Sequence, residues 1–446
     1  MPSEKEFLVS SGSLVIKKQK GGSYLVKDVK QRIQGKGNED LKELLVMCDG
    51  TRTEDDVVRE LCRLYSEPEK EVGKKASKSI AFLRDLHFLG SSHEPLHTPV
   101  IVRDSDMEWP VDVAYLEVTN ACNLKCVHCY KEAGLPRGEE LGTEDWVSLI
   151  DELASLGVVS IAVTGGEPLL REDIFDILEC IVDNVIGLNL FTNGTLLTED
   201  TVSRLKDLNP EKVMVSVDGM KETHQKIRGE NTYDRTLKGI TRLINDGIPV
   251  RSNTVVHSEN VGELSDIIQV LVDLGVREMV FDQFMEAGRG REHGNLIPAL
   301  EMGEKVSQQC RAFEEKTPQR IELKFTSEMQ NTESSYSFCG VGTSMLTVTA
   351  YGDVVLCPVL SSPEHTAGNL KDESLESLWM NSPVFDPFRQ CTPENMVCGT
   401  CPHVTECRGG CKARVLHYYN KVCMPDPWMC ATRGQPWPEQ PVPQST

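Results

Sequence analysis

The chain has 446 residues and a formal charge of −21, from 68 acidic and 47 basic side chains, and so lacks the basic footprint that general binding to nucleic acid or anionic lipid requires. Its length suffices for two or three domains with a sizeable core. The N-terminus "MPSEKEFLVS" has no basic patch followed by an apolar run, and no stretch approaches the roughly 18 apolar residues of a membrane helix, so a cytoplasmic protein with neither nucleic-acid nor membrane partners is expected.

In chain order, "EFLVSSGSLVIKK" and "GSYLVKDV" read as short strands. "NEDLKELLVMCDG", "TEDDVVRELCRLY" and "EVGKKASKSIAFLRDLHFLG" then carry helical spacing, with Gly50 expected to stop the first helix and Thr53 to cap the second. Residues 1–92 therefore form a first unit, and the polar, proline-bearing stretch 93–110 reads as a linker. From residue 111 the pattern alternates. Strands are expected near 112–118, 159–164, 187–192, 212–217, 249–256 and 278–282, separated by helices such as "TEDWVSLIDELASLG" and "VGELSDIIQVLVDLG". Six such units over 111–325 imply an α/β fold, a parallel sheet with helices outside, either doubly wound or curled into a partial barrel. In either arrangement, sites lie at the C-terminal ends of the strands. Over 326–432 the periodicity fades and cysteines become dense, and 433–446 is a proline-rich tail expected to be disordered.

Sixteen cysteines need an explanation other than disulfides, because a reducing cytosol disfavours them, and ten of them stand in spaced groups that point to metal. Cys122, Cys126 and Cys129 in "NACNLKCVHCY" follow the first strand of the alternating region, at the mouth of the expected active site. A cubane [4Fe–4S] cluster normally takes four thiolates, so three would leave one iron open. A zinc loop completed by a distant cysteine or by His128 is the alternative.

"CNLKCVHC" resembles the CxxxCxxC signature of the radical S-adenosylmethionine superfamily, and further matches follow in order: "TGGEP" after the second strand, "FTNGT" after the third, "SVDG" after the fourth, then "HQKIRG". The resemblance implies that Cys122, Cys126 and Cys129 hold a catalytic [4Fe–4S] cluster and that Gly165, Gly166, Glu167 and Pro168 bind the amino group of S-adenosylmethionine. It places Asn193 at the cofactor, Ser216 near its ribose or carboxylate, Arg228 at the carboxylate and His128 against adenine. The activity implied is reductive cleavage to methionine and a 5′-deoxyadenosyl radical, which takes hydrogen from unactivated carbon.

"CGTCPHVTECRGGC", with Cys339 and Cys357 upstream and Cys430 downstream, resembles the SPASM domain and its two auxiliary clusters, for three [4Fe–4S] clusters in all. By that resemblance Cys398, Cys401, Cys407 and Cys430 hold an outer cluster, with Cys423 a second candidate for the last ligand. Cys339, Cys357 and Cys411 hold an inner one, left with three ligands because "NTESSYSF" before Cys339 has no cysteine. A pair of zinc knuckles is the alternative. Cys48, Cys62, Cys180 and Cys310 fall on apolar helical faces and read as buried small hydrophobes.

Residues 1–92 resemble the peptide-binding chaperone of pyrroloquinoline quinone biosynthesis, the winged-helix-like recognition element for ribosomally made, modified peptides. In that family a leader peptide adds a strand to the edge of a three-stranded sheet and packs on a helix. A module used only for packing or dimerisation is the alternative. The order of the three parts resembles the maturases of such peptides, including thioether synthases and quinone-cofactor maturases. It implies a precursor peptide with a leader as substrate, a crosslink (thioether or C–C) or oxidation as product, and a low-potential electron donor such as flavodoxin or ferredoxin. "GGCKARV" and "PDPW" also suggest the related enzymes that modify tetrapyrroles in alternative haem biosynthesis.

Overall fold

The structure, a computed structural model, describes residues 5–105, 107–317, 321–325 and 339–438. The chain divides near Pro110 into two units.

The first unit runs β1 (Phe7–Ser10), β2 (Leu14–Lys18), β3 (Tyr24–Asp28), β4 (Ile33–Gly37), α1 (Glu39–Met47), β5 (Asp49–Thr53), α2 (Glu54–Tyr65), α3 (Glu69–Asp85), β6 (Leu89–Ser92) and β7 (Ile101–Arg103). Strands β2, β3 and β4 form an antiparallel meander, and β7 pairs in parallel with β2, giving the order β4-β3-β2-β7 with β4 at one edge. The stretch read as a linker thus contains a strand: the run "VIVR" after Pro99 is apolar and β-branched enough to join a ladder. A second sheet places β1 between β5 and β6. Thr53 caps α2 as expected, its side chain accepting from the Asp56 amide while Asp56 reaches back to the Thr53 amide. Gly50 plays a different part from the helix stop expected of it. Helix α1 ends at Met47, and Gly50 lies in β5 with φ +84°, where a Cβ would fall 1.6 Å from the carbonyl oxygen of Leu96. Leu8, Ile16, Leu45, Val57, Ile80 and Leu83 close the core of this unit.

The second unit is organised by a ten-stranded sheet. Its elements are β8 (Val113–Glu117), α4 (Thr143–Ser155), β9 (Ser160–Thr164), α5 (Ile174–Asp183), β10 (Gly187–Thr192), α6 (Glu199–Leu208), β11 (Lys212–Ser216), α7 (Lys221–Arg228), α8 (Thr232–Asn245), β12 (Val250–Val256), α9 (Leu264–Asp273), β13 (Glu278–Gln283), α10 (Met302–Lys316) and β14 (Glu322–Phe325). There follow β15 (Met345–Val348), β16 (Asp353–Val355), β17 (Thr366–Asn369), α11 (Leu375–Asn381), α12 (Asp386–Arg389), α13 (Val404–Cys407), α14 (Lys412–Tyr419) and α15 (Pro427–Thr432). The six expected strands are β8 to β13, lying side by side in chain order, and β14 adds a seventh in parallel with β13. On the other flank β15 pairs in parallel with β8, and β16 and β17 continue antiparallel. The cysteine-dense segment therefore begins by extending the same sheet. Helix α4 shows why the helices cover it: Trp146, Leu149, Ile150 and Leu153 recur at helical spacing and are all buried, each worth roughly 1.5–3 kcal/mol of burial. The stretch "NTESSYSF" and the tail from 439 lie outside the described residues.

Candidate active site and cysteine clusters

Beyond β8 the chain turns back across the C-terminal ends of the strands, and the cysteine loop is fastened there by its own backbone. The Cys122 amide donates to Gly134 O at 2.9 Å, the Gly134 amide to Asn120 O at 2.9 Å, and the Asn120 amide to Glu140 Oε1 at 2.6 Å. Lys131, just after the third cysteine, pairs with the buried Glu117 at the end of β8. From beyond β13, Arg289 donates through Nε to Cys126 O at 2.9 Å and through Nη1 to Ala133 O at 2.8 Å. Its neighbour Gly288 must be glycine, because φ is +53° and a Cβ would stand 2.3 Å from Tyr130 O.

Cys122, Cys126, His128, Cys129, Gly165, Gly166, Asn193, Ser216 and Arg228 line one cavity of about 260 Å³. The two glycines permit a close approach, but the partner is the cysteine loop. The Gly166 amide donates to Thr119 O at 2.7 Å, and a Cβ on Gly166 would lie 2.1 Å from Ala121 O. Glu167 and Pro168 are not among the lining residues. Glu167 is fully buried, accepting from Thr192 Oγ1 at 2.8 Å and from the Asn193 amide at 2.7 Å, so it holds the end of β10 in place. Burial pushes its carboxyl up to about 7 against those hydrogen bonds.

Three residues in or behind the cavity wall carry charge or order that the sequence did not assign to them. Asp218, the acidic residue of "SVDG", is fully buried: Oδ2 accepts from His128 Nε2 at 2.7 Å and pairs with Arg228, while Oδ1 accepts from the Val255 amide at 2.8 Å. Burial alone would raise this carboxyl, but Arg228 and His128 hold it well below the usual carboxylate range. Asp218 lies behind the wall, whereas Arg289 and Asp282 face the cavity. Arg289 is signalled by the glycine-flanked "AGRGR", whereas Asp282 has no motif around it.

The donor set suits an iron–sulfur cluster. Burial raises Cys122 and pushes Cys126 up to about 11, so these groups are thiols at neutral pH unless a cationic metal centre draws off their protons. The same holds at the C-terminus. Cys398, Cys401, Cys407 and Cys430 line one small pocket beside Asp426, and burial pushes Cys407 to about 11 and Cys430 to about 12. Cys339, Cys357 and Cys411 are mutual neighbours: burial first, then each other's charge, raises Cys339 to about 11 and Cys357 further. Among the described residues no three His, Cys, Asp or Glu side chains converge as ligands of a single ion. Cys423 joins Cys391 in a disulfide and so stands apart from the outer set, departing from the expectation that disulfides are disfavoured. Cys48 and Cys310 are buried as expected, while Cys62 and Cys180 are half-buried.

Residues 116–271 match the radical SAM superfamily and residues 339–402 an iron-sulfur cluster-binding domain, SPASM. The chain is 32% identical over 324 residues to an AdoMet-dependent heme synthase of Methanosarcina barkeri, covering 67% of this chain and 90% of that protein. It is 26% identical over 353 residues to the mycofactocin maturase of Mycolicibacterium smegmatis, covering 78% and 89%. Against the antilisterial bacteriocin subtilosin biosynthesis protein of Bacillus subtilis it is 28% identical over 403 residues, covering 86% and 87%. In fold it is similar to Streptococcus suis SuiB bound to the precursor peptide SuiA, with a TM-score of 0.67 and 15% identity over 94% of this chain and 99% of that one. The chain belongs to the radical SAM superfamily and carries a SPASM domain. It is an enzyme of that class, built to bind S-adenosylmethionine and iron–sulfur clusters. Among the described residues no helix is long and apolar enough to cross a membrane.

Proposed function

We propose that this enzyme is a cytoplasmic peptide maturase: it binds the leader of a ribosomally made precursor and forms a crosslink or an oxidised bond in the core peptide. The observation that carries the reading is the groove of the N-terminal unit. Gly37, Leu41, Leu44, Leu61, Tyr65 and Phe82 line a cavity of about 610 Å³ beside β4, which among the described residues is an edge strand with one side open to another strand. An extended leader would gain main-chain hydrogen bonds from β4 and apolar contacts from the helices. This assigns residues 1–92 to peptide recognition, 111–325 to the barrel and 326–432 to the SPASM domain.

In this reading Cys122, Cys126 and Cys129 hold the cluster that meets S-adenosylmethionine, and the two cysteine sets of the SPASM domain hold auxiliary clusters, making three. Bound there, S-adenosylmethionine supplies a deoxyadenosyl radical to the substrate. The chain's own residues do the rest. Arg228 would receive the cofactor's carboxylate, Ser216 its ribose or carboxylate and His128 its adenine, and Glu167 positions Asn193. Leu124, Phe191 and Val255 give the wall apolar surface that excludes water. The electron would come from a low-potential donor such as a flavodoxin or ferredoxin.

The test is anaerobic incubation of the reconstituted enzyme with reductant, S-adenosylmethionine and a precursor peptide encoded beside its gene, followed by mass spectrometry. Loss of two hydrogens from the peptide is expected. The 32% identity to a heme synthase favours a second reading, modification of a tetrapyrrole, and conversion of a tetrapyrrole in the same incubation, with the peptide left unchanged, would establish that one instead.

A further inference from the structure

The cavity is electrostatically lopsided. Arg228, Arg289 and His128 stand on the side of the cysteine loop, and among its described lining residues Asp282 is the one carboxylate. Asp282 sits near the C-terminal end of β13 with its side chain 29% exposed. Its position contrasts with that of the other acids nearby. Both oxygens of Asp218 are occupied, and Asp426 is committed to Arg414 at 2.7 Å, to the Cys411 amide at 2.8 Å and to the Trp428 amide at 3.1 Å. Among the described residues no hydrogen bond reaches the Asp282 carboxylate, whose nearest cation is Arg414 Nη1 at 3.9 Å, beyond hydrogen-bond range. Arg414 is three residues past Cys411, and Pro358, next to Cys357, lines the same cavity. A carboxylate without a hydrogen bond among the described residues, held only by a long ion pair to Arg414, therefore faces the substrate space on the wall toward the inner cysteine set.

We propose that Asp282 is the proton acceptor of substrate oxidation: its carboxylate takes the proton released from a substrate N–H, O–H or S–H bond as the adjoining carbon radical is oxidised. This rests on the peptide-maturase reading. A hydrogen atom leaves the substrate carbon for the deoxyadenosyl radical, giving 5′-deoxyadenosine. The heteroatom gives its proton to Asp282 and its electron pair to carbon. Of the three electrons then shared, two form the new bond and one leaves to a one-electron oxidant, an iron–sulfur cluster of the kind assigned to Cys339, Cys357 and Cys411. The peptide loses two hydrogens in all. Proton and electron thus depart toward the same wall.

Burial pushes the Asp282 carboxyl up to about 6, with Arg414 and Arg251 working against it and Asp426 and Asp218 adding to it. Tyr115 and Cys411 share its surroundings. At neutral pH it is thus ionised yet basic enough to accept a proton, the poise general-base catalysis needs.

The experiment uses the full enzyme with a precursor deuterated on carbon, comparing wild type, Asp282→Asn and Asp282→Glu. Infrared spectra of the substrate-free enzymes identify the carboxyl band that Asp282→Asn removes. Asp282→Asn should bind peptide and move deuterium into 5′-deoxyadenosine as the wild type does, while forming product at least about 100-fold more slowly, and Asp282→Glu should restore part of the rate. Product formation by the wild type should rise with pH through about 6, a limb the Asn variant lacks. Wild-type rates of product from Asp282→Asn would overturn the assignment, as would loss of deuterium transfer and product together with binding intact. Failure of the wild type to draw deuterium from any peptide would instead bring down the maturase reading, and this proposal with it.

Discussion

Asp218 shows what a single residue contributes behind the cavity wall. Its charge is offset by the Arg228 guanidinium and by a hydrogen bond from the His128 ring, both of which face the cavity, so it sets both the position of the guanidinium and the plane of the ring. Asp218→Ala leaves Arg228 buried without its counter-charge and should cost about 3–5 kcal/mol in chemical denaturation. Asp218→Asn keeps the volume and should lose less. The pH dependence has a definite sign. A carboxyl held below its unfolded value adds stability above the ordinary carboxylate range and loses it as pH falls through the depressed folded value, so the gap between wild type and Asp218→Asn should close in acid. Cys126→Ala should abolish 5′-deoxyadenosine formation while iron bound by the C-terminal cysteines remains, as iron and sulfide analysis against the wild type will report. The two residues differ in how far the sequence discloses them. A ligand loop is local, and its three cysteines announce themselves by spacing. Asp218 stands 90 positions from His128, and only the fold makes them partners.

At the scale of elements, β8 to β13 were legible because each is a short apolar or alternating run bounded by turn residues and followed by an amphipathic helix. Strand β7 was hidden by its proline-bearing, polar surroundings. Strands β14 and β15 were hidden because each is only four residues long; their places beside β13 and β8 are long-range pairings that no local pattern encodes. The glycines of "TGGEP" were legible as a close approach, but which backbone approaches required the fold. That contact makes a clean prediction. A methyl group on Gly166 would meet Ala121 O at 2.1 Å, with backbone on both sides and nothing flexible to yield, so Gly166→Ala should displace the cysteine loop and lower iron incorporation at the first site. Gly134→Ala, in the same loop with open space around its Cβ position, is the matched control and should assemble normally. Equal iron content in the two variants would show that the loop does not need this crossing.

For the whole molecule, the division into two units, each with its own core, predicts that peptide recognition and radical generation can be separated by mutation. Phe82 tests this because it lines the N-terminal groove while remaining 61% exposed. A substitution there removes little buried surface, so stability should change by no more than about 0.5 kcal/mol. Phe82→Glu places a charge where an apolar leader residue would pack, and affinity for the full precursor should fall about tenfold, equivalent to about 1.4 kcal/mol. The chain's charge of −21 strengthens the penalty for an acidic leader and eases it for a basic one, a difference that added salt should diminish. Cleavage of S-adenosylmethionine without peptide draws on the second unit alone and should proceed at the wild-type rate. The measurement is titration of both enzymes with the full precursor and with the core peptide lacking its leader. If leader recognition lies in the groove, the variant and wild type will differ on the first and agree on the second. Equal affinity for the full precursor would place recognition elsewhere on the chain.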